Sequence, residues 1–106
     1  MKISIKATNL ELTPSITKYI EDKISSVEKF LEKFEKKTEI EAFVEIARMT
    51  RHHRKGEVFY AETNLQLPGK LLRVSQEDLD VRAAIDKVKN KLQQEVKKYK
   101  GKQSDY

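Results

Sequence analysis

Apolar residues recur in this chain with two different spacings, and the order of those spacings constrains the fold more than any other feature. In residues 1–7 every second residue is apolar, as in a strand that buries one face. Over 14–36 the apolar residues instead recur every three or four positions, which is typical of a helix with one buried face. Thr13-Pro14 favours a helix start, because threonine can cap free amide groups and proline suits the first helical position.

The strand-like alternation returns three times after the first helix. It predicts strands over 40–46, 58–67 and 71–74. Pro68-Gly69 predicts a tight turn, because proline presets one turn position and glycine accepts a positive φ at the next. We therefore expect the second and third strands, and the third and fourth, to pair as antiparallel hairpins.

A second helical stripe, from Val81 to Tyr99, follows the last strand. Acidic residues within 76–80 favour a helix start there, since they complement the positive end of the helix dipole, and Gly101 favours its end. The predicted order is β-α-β-β-β-α. Two helices with one apolar face each can cover one face of a four-stranded sheet, so the predicted fold class is α+β, a two-layer sandwich.

The length and composition of the chain narrow its class. Its 106 residues correspond to a single domain, which we expect over 1–102, with a flexible tail at 103–106. The chain contains no cysteine, which excludes disulfides, thiolate catalysis and cysteine-ligated zinc. No apolar run reaches the length of a membrane span, and residues 1–7 do not form a signal-peptide core. We therefore expect a soluble cytoplasmic protein with no membrane partner.

Positive charge is concentrated in two segments, although the net charge is only +5. Residues 87–102 hold seven lysines and a single acid, Glu95, and residues 48–55 hold four cations and no acid. Such segments favour a polyphosphate partner, in particular nucleic acid. At about 100° per residue, four lysines fall in a sector of about 80° on the last helix, and we call them the lysine row: Lys87, Lys91, Lys98 and Lys102.

The lysine row also has a plainer explanation. Lysines near the C-terminal end of a helix complement the negative end of its dipole, and lysine-rich last helices are common in proteins that bind no nucleic acid. The charge pattern of this helix supports both explanations about equally. The second cationic segment, 48–55, favours nucleic-acid binding, because a helix dipole does not explain cations in a loop.

The sequence contains no recognisable catalytic or metal-binding pattern. His52-His53 has no carboxylate or third histidine at a supporting spacing. Pro68-Gly69-Lys70 is too short for a phosphate-binding loop, and no nucleophile is paired with a base. We therefore expect a protein that is not an enzyme and that has no metal, no other cofactor and no small-molecule substrate.

Short strings across residues 1–102 resemble the ribosome hibernation-promoting factors, also called ribosome-associated translation inhibitors or sigma-factor modulation proteins. The order and spacing of the strings carry the resemblance, since none is decisive alone. The resemblance implies a β-α-β-β-β-α fold similar to double-stranded-RNA-binding domains. The strings are KISSVEKF at 23–30, YAE at 60–62, LPG at 67–69, DVRAAID at 80–86 and KYKGK at 98–102.

The resemblance also implies a function. Members of this family bind the small ribosomal subunit between its head and body, overlap the paths of messenger and transfer RNA, and keep ribosomes idle during starvation or stress. We therefore expect a translation inhibitor whose partner is the small subunit and its rRNA, and which is a monomer when free. Matching positions nominate as rRNA-binding residues Lys23, Lys87, Lys91, Lys98, Lys100 and Lys102, and charge and placement alone add Arg51, Arg54, Lys55 and Arg73.

Three departures from the family pattern alter the expected RNA contacts. Ser26 and Gln94 stand where the family has lysine and arginine, and Arg82 replaces a tyrosine. The chain ends where long forms of the family add a linker and a dimerisation domain, so we expect it to act as a short form. Two other functions stay open at this point, a duplex-RNA-binding module and a protein-interaction regulator of a transcription factor.

Overall fold

The computed structural model describes residues 1–49 and 57–104 of the chain. The order of elements contains the predicted β-α-β-β-β-α arrangement, with the first helical region divided into three. The elements are β1 (Lys2–Thr8), α1 (Pro14–Ser25), a 3-10 helix (Ser26–Phe30), α2 (Glu32–Glu35), β2 (Glu41–Met49), β3 (Val58–Leu67), β4 (Lys70–Asp78) and α3 (Val81–Ser104).

The four strands form one mixed sheet in the order β1-β2-β3-β4. β1 and β2 run parallel, with Ile5 opposite Val44, because a helical crossover connects them. The β2–β3 and β3–β4 pairs are antiparallel, which confirms both predicted hairpins. In the turn between β3 and β4, Gly69 follows Pro68 with a φ of 71°, as its sequence predicts.

The helices cover one face of this sheet and the core lies between the two layers. α3 packs against β3 and β4, while α1 packs against β1 and α3. The opposite face of the sheet exposes Phe43 and Leu71. The predicted two-layer α+β sandwich is therefore confirmed. The largest fully buried side chains come from both layers: Ile20, Ile24, Leu31, Ile40, Ile46, Leu65, Leu67, Ile85 and Leu92.

The predicted continuous helix over 14–36 is wrong, because the α-helical geometry ends at Ser25. The Ser26 hydroxyl donates a hydrogen bond to the backbone carbonyl of Lys23 at 2.5 Å. Such side-chain bonds compete with the regular backbone pattern of an α-helix. The next turn is a 3-10 helix, whose three residues per turn still place Val27 against the core. Apolar spacing alone therefore does not reveal the break.

α3 begins at Val81, so the predicted start within 76–80 is also wrong. Ladder pairing with β3 extends β4 through Asp78 and makes it nine residues long instead of the predicted four. The Asp80 carboxylate accepts a hydrogen bond from the backbone N–H of Arg82 at 3.2 Å. The acids that favour a helix start therefore precede the first turn of α3. Asp78 lies at the end of β4, and Asp80 caps the helix.

α3 continues past Gly101 to Ser104. A glycine ends a helix by taking a positive φ, and among the described glycines only Gly69 does so. The predicted helix stop at Gly101 is therefore wrong. The domain boundary at residue 102 stays a prediction.

Candidate nucleic-acid interface

The lysine row lies along the flank of α3 that faces the edge strand β4. Lys87 Nζ lies 2.5 Å from a carboxylate oxygen of Asp78, at the end of β4. Lys91 Nζ donates to the backbone carbonyl of Ser75, 2.8 Å away. The first half of the row therefore contacts the sheet, and lysines at such an edge also hinder its pairing with other chains.

The contact with Lys87 affects the charge state of Asp78. The hydrogen bond from Lys87, followed by one from the backbone N–H of Asp80, lowers the pKa of Asp78. The carboxylate is therefore ionised at neutral pH and offsets part of the positive charge of the row. Exposed ion pairs are weak, so an RNA phosphate can compete with Asp78 for the ammonium group.

The second half of the row is more available to a ligand. Lys98 is 70% exposed and lies 3.5 Å from Glu95, three residues earlier on the same helix. Lys102 is exposed and forms no ion pair with any residue that the structure describes. Gln94 adds an exposed amide in the gap of the row. A ligand can bind Lys98 and Lys102 without displacing any contact with β4.

Lys23 belongs to α1 and faces the other flank of α3. Its Nζ is 3.4 Å from Asp86 Oδ1 and 5.4 Å from the centre of the Tyr19 ring. The Tyr19 hydroxyl donates to the same carboxylate oxygen at 2.5 Å, and this hydrogen bond is the main cause of the raised pKa of Tyr19. Lys23 therefore joins α1 to α3 and stands apart from the lysine row.

Lys100 also lies on this flank, as one of three lysines around the ring of Phe30. The Nζ atoms of Lys97, Lys29 and Lys100 lie 5.2, 5.3 and 5.8 Å from the ring centre. We call these three lysines and the ring the Phe30 cluster. None of the three lysines forms an ion pair with another residue in the described part of the chain. Sequence reasoning did not nominate Lys29 or Lys97; the available signal was the aromatic residue next to Lys29.

Arg73 lies on the face of the sheet opposite the helices, because both of its neighbours in β4 point into the core. Its Nε is 3.2 Å from Glu62 Oε1. Glu62 is 13% exposed and also accepts hydrogen bonds from Tyr60 at 2.8 Å and Asn64 at 3.1 Å. The bond from Tyr60 is the main cause of the lowered pKa of Glu62. The structure therefore does not bring Arg73 together with the lysines of α3.

The second cationic segment, 48–55, is described only at its start. Arg48 Nε lies 3.4 Å from Glu57 Oε1, and the guanidinium carbon is 6.0 Å from the centre of the Phe59 ring. The predicted RNA-binding role of the remaining cations stays a prediction. The residues of this segment that lie outside the described part are Thr50, Arg51, His52, His53, Arg54 and Lys55.

Residues 1–49 and 57–104 contain neither a metal-binding cluster nor a membrane-spanning helix. No group of three or more histidine, cysteine, aspartate or glutamate side chains there is placed to hold a metal ion. None of the described helices is long and apolar enough to cross a membrane. The prominent feature of the helical layer is positive charge on both flanks of α3, which suits the binding of phosphate groups.

Known proteins similar to this chain include ribosome hibernation factors. The ribosome hibernation promotion factor of Lactococcus lactis is 33% identical over 102 residues, which cover 94% of this chain and 50% of that protein. The ribosome hibernation promoting factor of Pseudomonas putida is 28% identical over 97% of this chain and 90% of that protein. The crystal structure of the Thermus thermophilus Protein Y N-terminal domain is 31% identical with a TM-score of 0.74, and the match covers 93% of this chain and 99% of that one.

The family match extends over nearly the whole chain. The chain spans about half the length of some of its relatives, including those from Lactococcus lactis and Picosynechococcus, at 50% each. A family model described as Sigma 54 modulation protein / S30EA ribosomal protein matches residues 3–104. This range contains every described strand and helix apart from the first residue of β1. The chain therefore belongs to the Sigma 54 modulation protein / S30EA ribosomal protein family.

Proposed function

We propose that this protein is a ribosome hibernation factor that inhibits translation by binding the small ribosomal subunit and occluding its channel for messenger and transfer RNA. The observation that carries the proposal is the concentration of lysines on both flanks of α3. The names of relatives that match over nearly the whole of this chain support ribosome hibernation as the process. In this proposal the protein acts as a cytoplasmic monomer and catalyses no reaction.

Affinity for the subunit comes chiefly from neutralised phosphates. Each phosphate that a lysine neutralises releases condensed counterions, which makes binding favourable and dependent on salt. At 1.5 Å per residue the lysine row is about 22 Å long, so it can meet several phosphates of a folded strand. Lys102 binds directly, and Lys98 gives up only its ion pair with Glu95. Lys87 and Lys91 first exchange their contacts with β4.

Inhibition follows from the shape of the body that α3 anchors. The molecule measures 50 by 27 by 18 Å along its principal axes, and its core joins α3 firmly to the sheet. Once α3 is bound to rRNA, this elongated body fills space that messenger and transfer RNA need. The block requires no chemical step and is reversible, because competing RNA can take over the same rRNA surface.

The candidate residues differ in how directly they support the proposal. Lys102 supports it most directly, because it forms no ion pair with any described residue, and Lys100 adds charge from the other flank of α3. Four of the other cations each pair with an acid of this chain, so a phosphate must displace that acid; they are Lys23, Arg73, Lys87 and Lys98. The roles of Arg51, Arg54 and Lys55 are proposed on charge alone.

Co-sedimentation of the full chain with purified small ribosomal subunits tests the proposal. We expect Lys87→Glu, Lys91→Glu and Lys98→Glu together to weaken binding at least tenfold, because three attractive contacts become repulsive. The matched control changes Lys2, Lys6 and Lys18 to Glu; these lysines are exposed on β1 and α1, and the change in net charge is the same. Equal binding by wild type and the α3 variant would show that α3 is not the binding element.

Two added conditions separate the remaining functions. A naked RNA hairpin that competes as strongly as small subunits would indicate a duplex-RNA-binding module. Binding to a cell extract that survives nuclease treatment and moderate salt would instead indicate a protein partner. The proposed function predicts that small subunits compete far better than the hairpin and that nuclease abolishes binding.

A further inference from the structure

We infer that the free edge of β1 is a docking site for an extended segment of a partner protein, which pairs with β1 as an additional strand of the sheet. The segment that fits this edge alternates acidic and apolar residues. The inference goes beyond the proposed function, because β1 lies at the opposite edge of the sheet from β4 and the lysine row.

The first support is a row of backbone groups at this edge that have no partner. The N–H of Lys2 donates to the carbonyl of Ile40 at 2.9 Å, toward β2. Successive residues of a strand direct their N–H and C=O groups to opposite sides, so every second residue of β1 directs them away from the sheet. No residue in the described part of the chain bonds to these outward groups, and such a row can pair with another strand. The residues that carry the outward groups are Ile3, Ile5 and Ala7.

The other edge of the sheet is already occupied. At β4, Lys91 Nζ donates to the backbone carbonyl of Ser75 at 2.8 Å, and Lys87 pairs with Asp78. Lysines placed in this way hinder the addition of a strand. No side chain among residues 1–49 and 57–104 caps the outward backbone groups of β1 in the same manner. β1 is therefore the edge that is open to a new strand.

The second support is that the inward side chains of β1 are incompletely covered. Ile3 and Ile5 pack against the core but are only half-buried, whereas Val44, directly opposite Ile5 in β2, is 4% exposed. The cause is the placement of the helices, since α3 packs over β3 and β4 and leaves the cover of β1 to α1. Residues paired across two strands project to the same face, so apolar residues of an added strand cover Ile3 and Ile5. Removing this apolar surface from water favours binding.

The third support is the charge on the open face of β1. Lys2 and Lys6 are exposed there and lie directly opposite Glu41 and Glu45 of β2. An added strand lies on the other side of these lysines, where an acid opposite each lysine stabilises the pairing and a cation destabilises it. A second copy of β1 would bring four lysines to one face. The charges therefore favour an acidic partner over self-pairing.

The β1 edge and the lysine row can be occupied at the same time. Neighbouring strands lie about 4.8 Å apart, so the three spacings between β1 and β4 separate the two edges by about 14 Å. The lysine row lies farther still, on the flank of α3 that faces β4. A segment bound to β1 therefore leaves the row free for another ligand.

Binding of a synthetic peptide to the full chain tests the site without ribosomes. The probe is a blocked, fluorescently labelled peptide, about as long as β1, in which valine and glutamate alternate. Fluorescence anisotropy should show saturable binding. Amide hydrogen exchange in the complex should slow at least tenfold at the three residues whose N–H groups become bonded, Ile3, Ile5 and Ala7.

Charge reversal identifies the face of β1 that the peptide contacts. Lys2→Glu with Lys6→Glu should weaken binding of the acidic peptide at least tenfold, and this variant should instead bind a peptide of alternating valine and lysine. That exchange of partners distinguishes a changed surface from a folding defect. Lys98→Glu with Lys102→Glu changes the net charge equally on α3, and it should leave the affinity for the acidic peptide unchanged.

N-methylated peptides test whether the peptide pairs as a strand. Methylation of one alternate set of peptide amides should abolish binding and methylation of the other set should not, because only one set faces β1. The inference is overturned if hydrogen exchange at Ile3, Ile5 and Ala7 does not slow, if the α3 variant loses as much affinity as the β1 variant, or if both methylated peptides bind like the parent. Slowed exchange at these residues with increasing protein concentration alone would assign the edge to a second copy and would also overturn it. No arm uses ribosomes, so the outcome is independent of the proposed function.

Discussion

The two flanks of α3 carry the same residue type in different surroundings. On the β4 flank, Lys87 and Lys91 contact a carboxylate and a backbone carbonyl of the sheet edge. On the α1 flank, Lys97 and Lys100 lie over the ring of Phe30 and contact no acid among the described residues. A carboxylate offsets the positive charge of a lysine. An aromatic ring also holds the ammonium group in place, but it carries no net charge and does not neutralise the lysine.

Under the proposed function, α3 combines a structural role with a binding role. Lysines of the β4 flank stabilise the strand edge, and an RNA phosphate must compete with those contacts. Lysines of the Phe30 cluster are held by a neutral ring, so a phosphate displaces no acid there. We therefore expect phosphate binding by α3 to depend on the groups that hold its lysines as well as on their number.

A substitution in the core that holds α3 against the sheet should have the largest effect, because both flanks of the helix depend on that packing. Leu92 is fully buried on the core-facing side of α3, and Leu92→Ala should lower the free energy of unfolding by about 2–5 kcal/mol because it leaves a cavity. Urea denaturation measures the loss, and subunit binding should disappear together with the fold at intermediate urea. Leu79→Ala is the control, since Leu79 is 67% exposed and such surface changes stay within about 0.5 kcal/mol. Similar values for the two variants would show that α3 is not supported by the core as described.

The two halves of the lysine row should differ in binding. Lys98→Gln with Lys102→Gln should weaken subunit binding more than Lys87→Gln with Lys91→Gln, because the first pair of lysines has no contact with β4 to give up. The first double variant should also reduce the salt dependence of binding, the slope of log K against log salt, by about two. Sedimentation at several salt concentrations provides both values. A larger loss from Lys87 and Lys91 would reverse this ranking of the two halves.

A substitution beneath α3 should stabilise the fold while leaving both flanks unchanged. Thr63 is fully buried in β3, and its hydroxyl makes no hydrogen bond with any described residue. Thr63→Val removes this unpaired polar group and should raise the free energy of unfolding by about 1 kcal/mol. Urea denaturation gives the value, and Thr63→Ser, which keeps the hydroxyl, should give no gain. Destabilisation by valine would show that the hydroxyl has a partner.

The smallest expected effect is a pH dependence confined to the β4 flank. The pKa of Asp78 is lowered in the folded protein by Lys87, so the contribution of this contact is present above the unfolded pKa of about 3.9 and is lost as pH falls below it. The difference in unfolding midpoint between wild type and Lys87→Met should therefore shrink below about pH 4. Lys97→Met should show no such change, because Lys97 contacts a ring. A constant difference for Lys87→Met down to pH 2 would contradict the role of Asp78.

Much of the fold was predictable because alternation and helical spacing each bury one face of an element. The strand spacing around Val44 and Leu65 and the turn at Gly69 lead directly to the observed sheet. The break at Ser25 was not predictable, since residues three apart face the core in a 3-10 helix as they do in an α-helix. The start of α3 was misplaced because the acids within 76–80 favour a helix start, whereas the pairing of β4 with β3 extends through Asp78.

The sequence predicts which lysines share one side of the last helix, but it does not predict which groups those lysines contact. Helical arithmetic places Lys87 and Lys91 on one flank, but which acid or carbonyl they meet depends on how α3 crosses β4. The family motif nominates Lys100 without showing that it lies on the opposite flank from the row. Lys29 is distant from Lys97 in sequence, so only the packing of the 3-10 helix on α3 reveals the Phe30 cluster.

The salt dependence of small-subunit binding tests most directly whether α3 binds RNA phosphates through its lysines. The measurement compares wild type with a variant in which the four residues of the lysine row are changed to glutamine. We predict a linear fall of log K with log salt for wild type and a slope smaller by about one for each lysine that is replaced and binds a phosphate. Identical slopes for the two proteins, or a wild-type affinity that does not change with salt, would contradict the account.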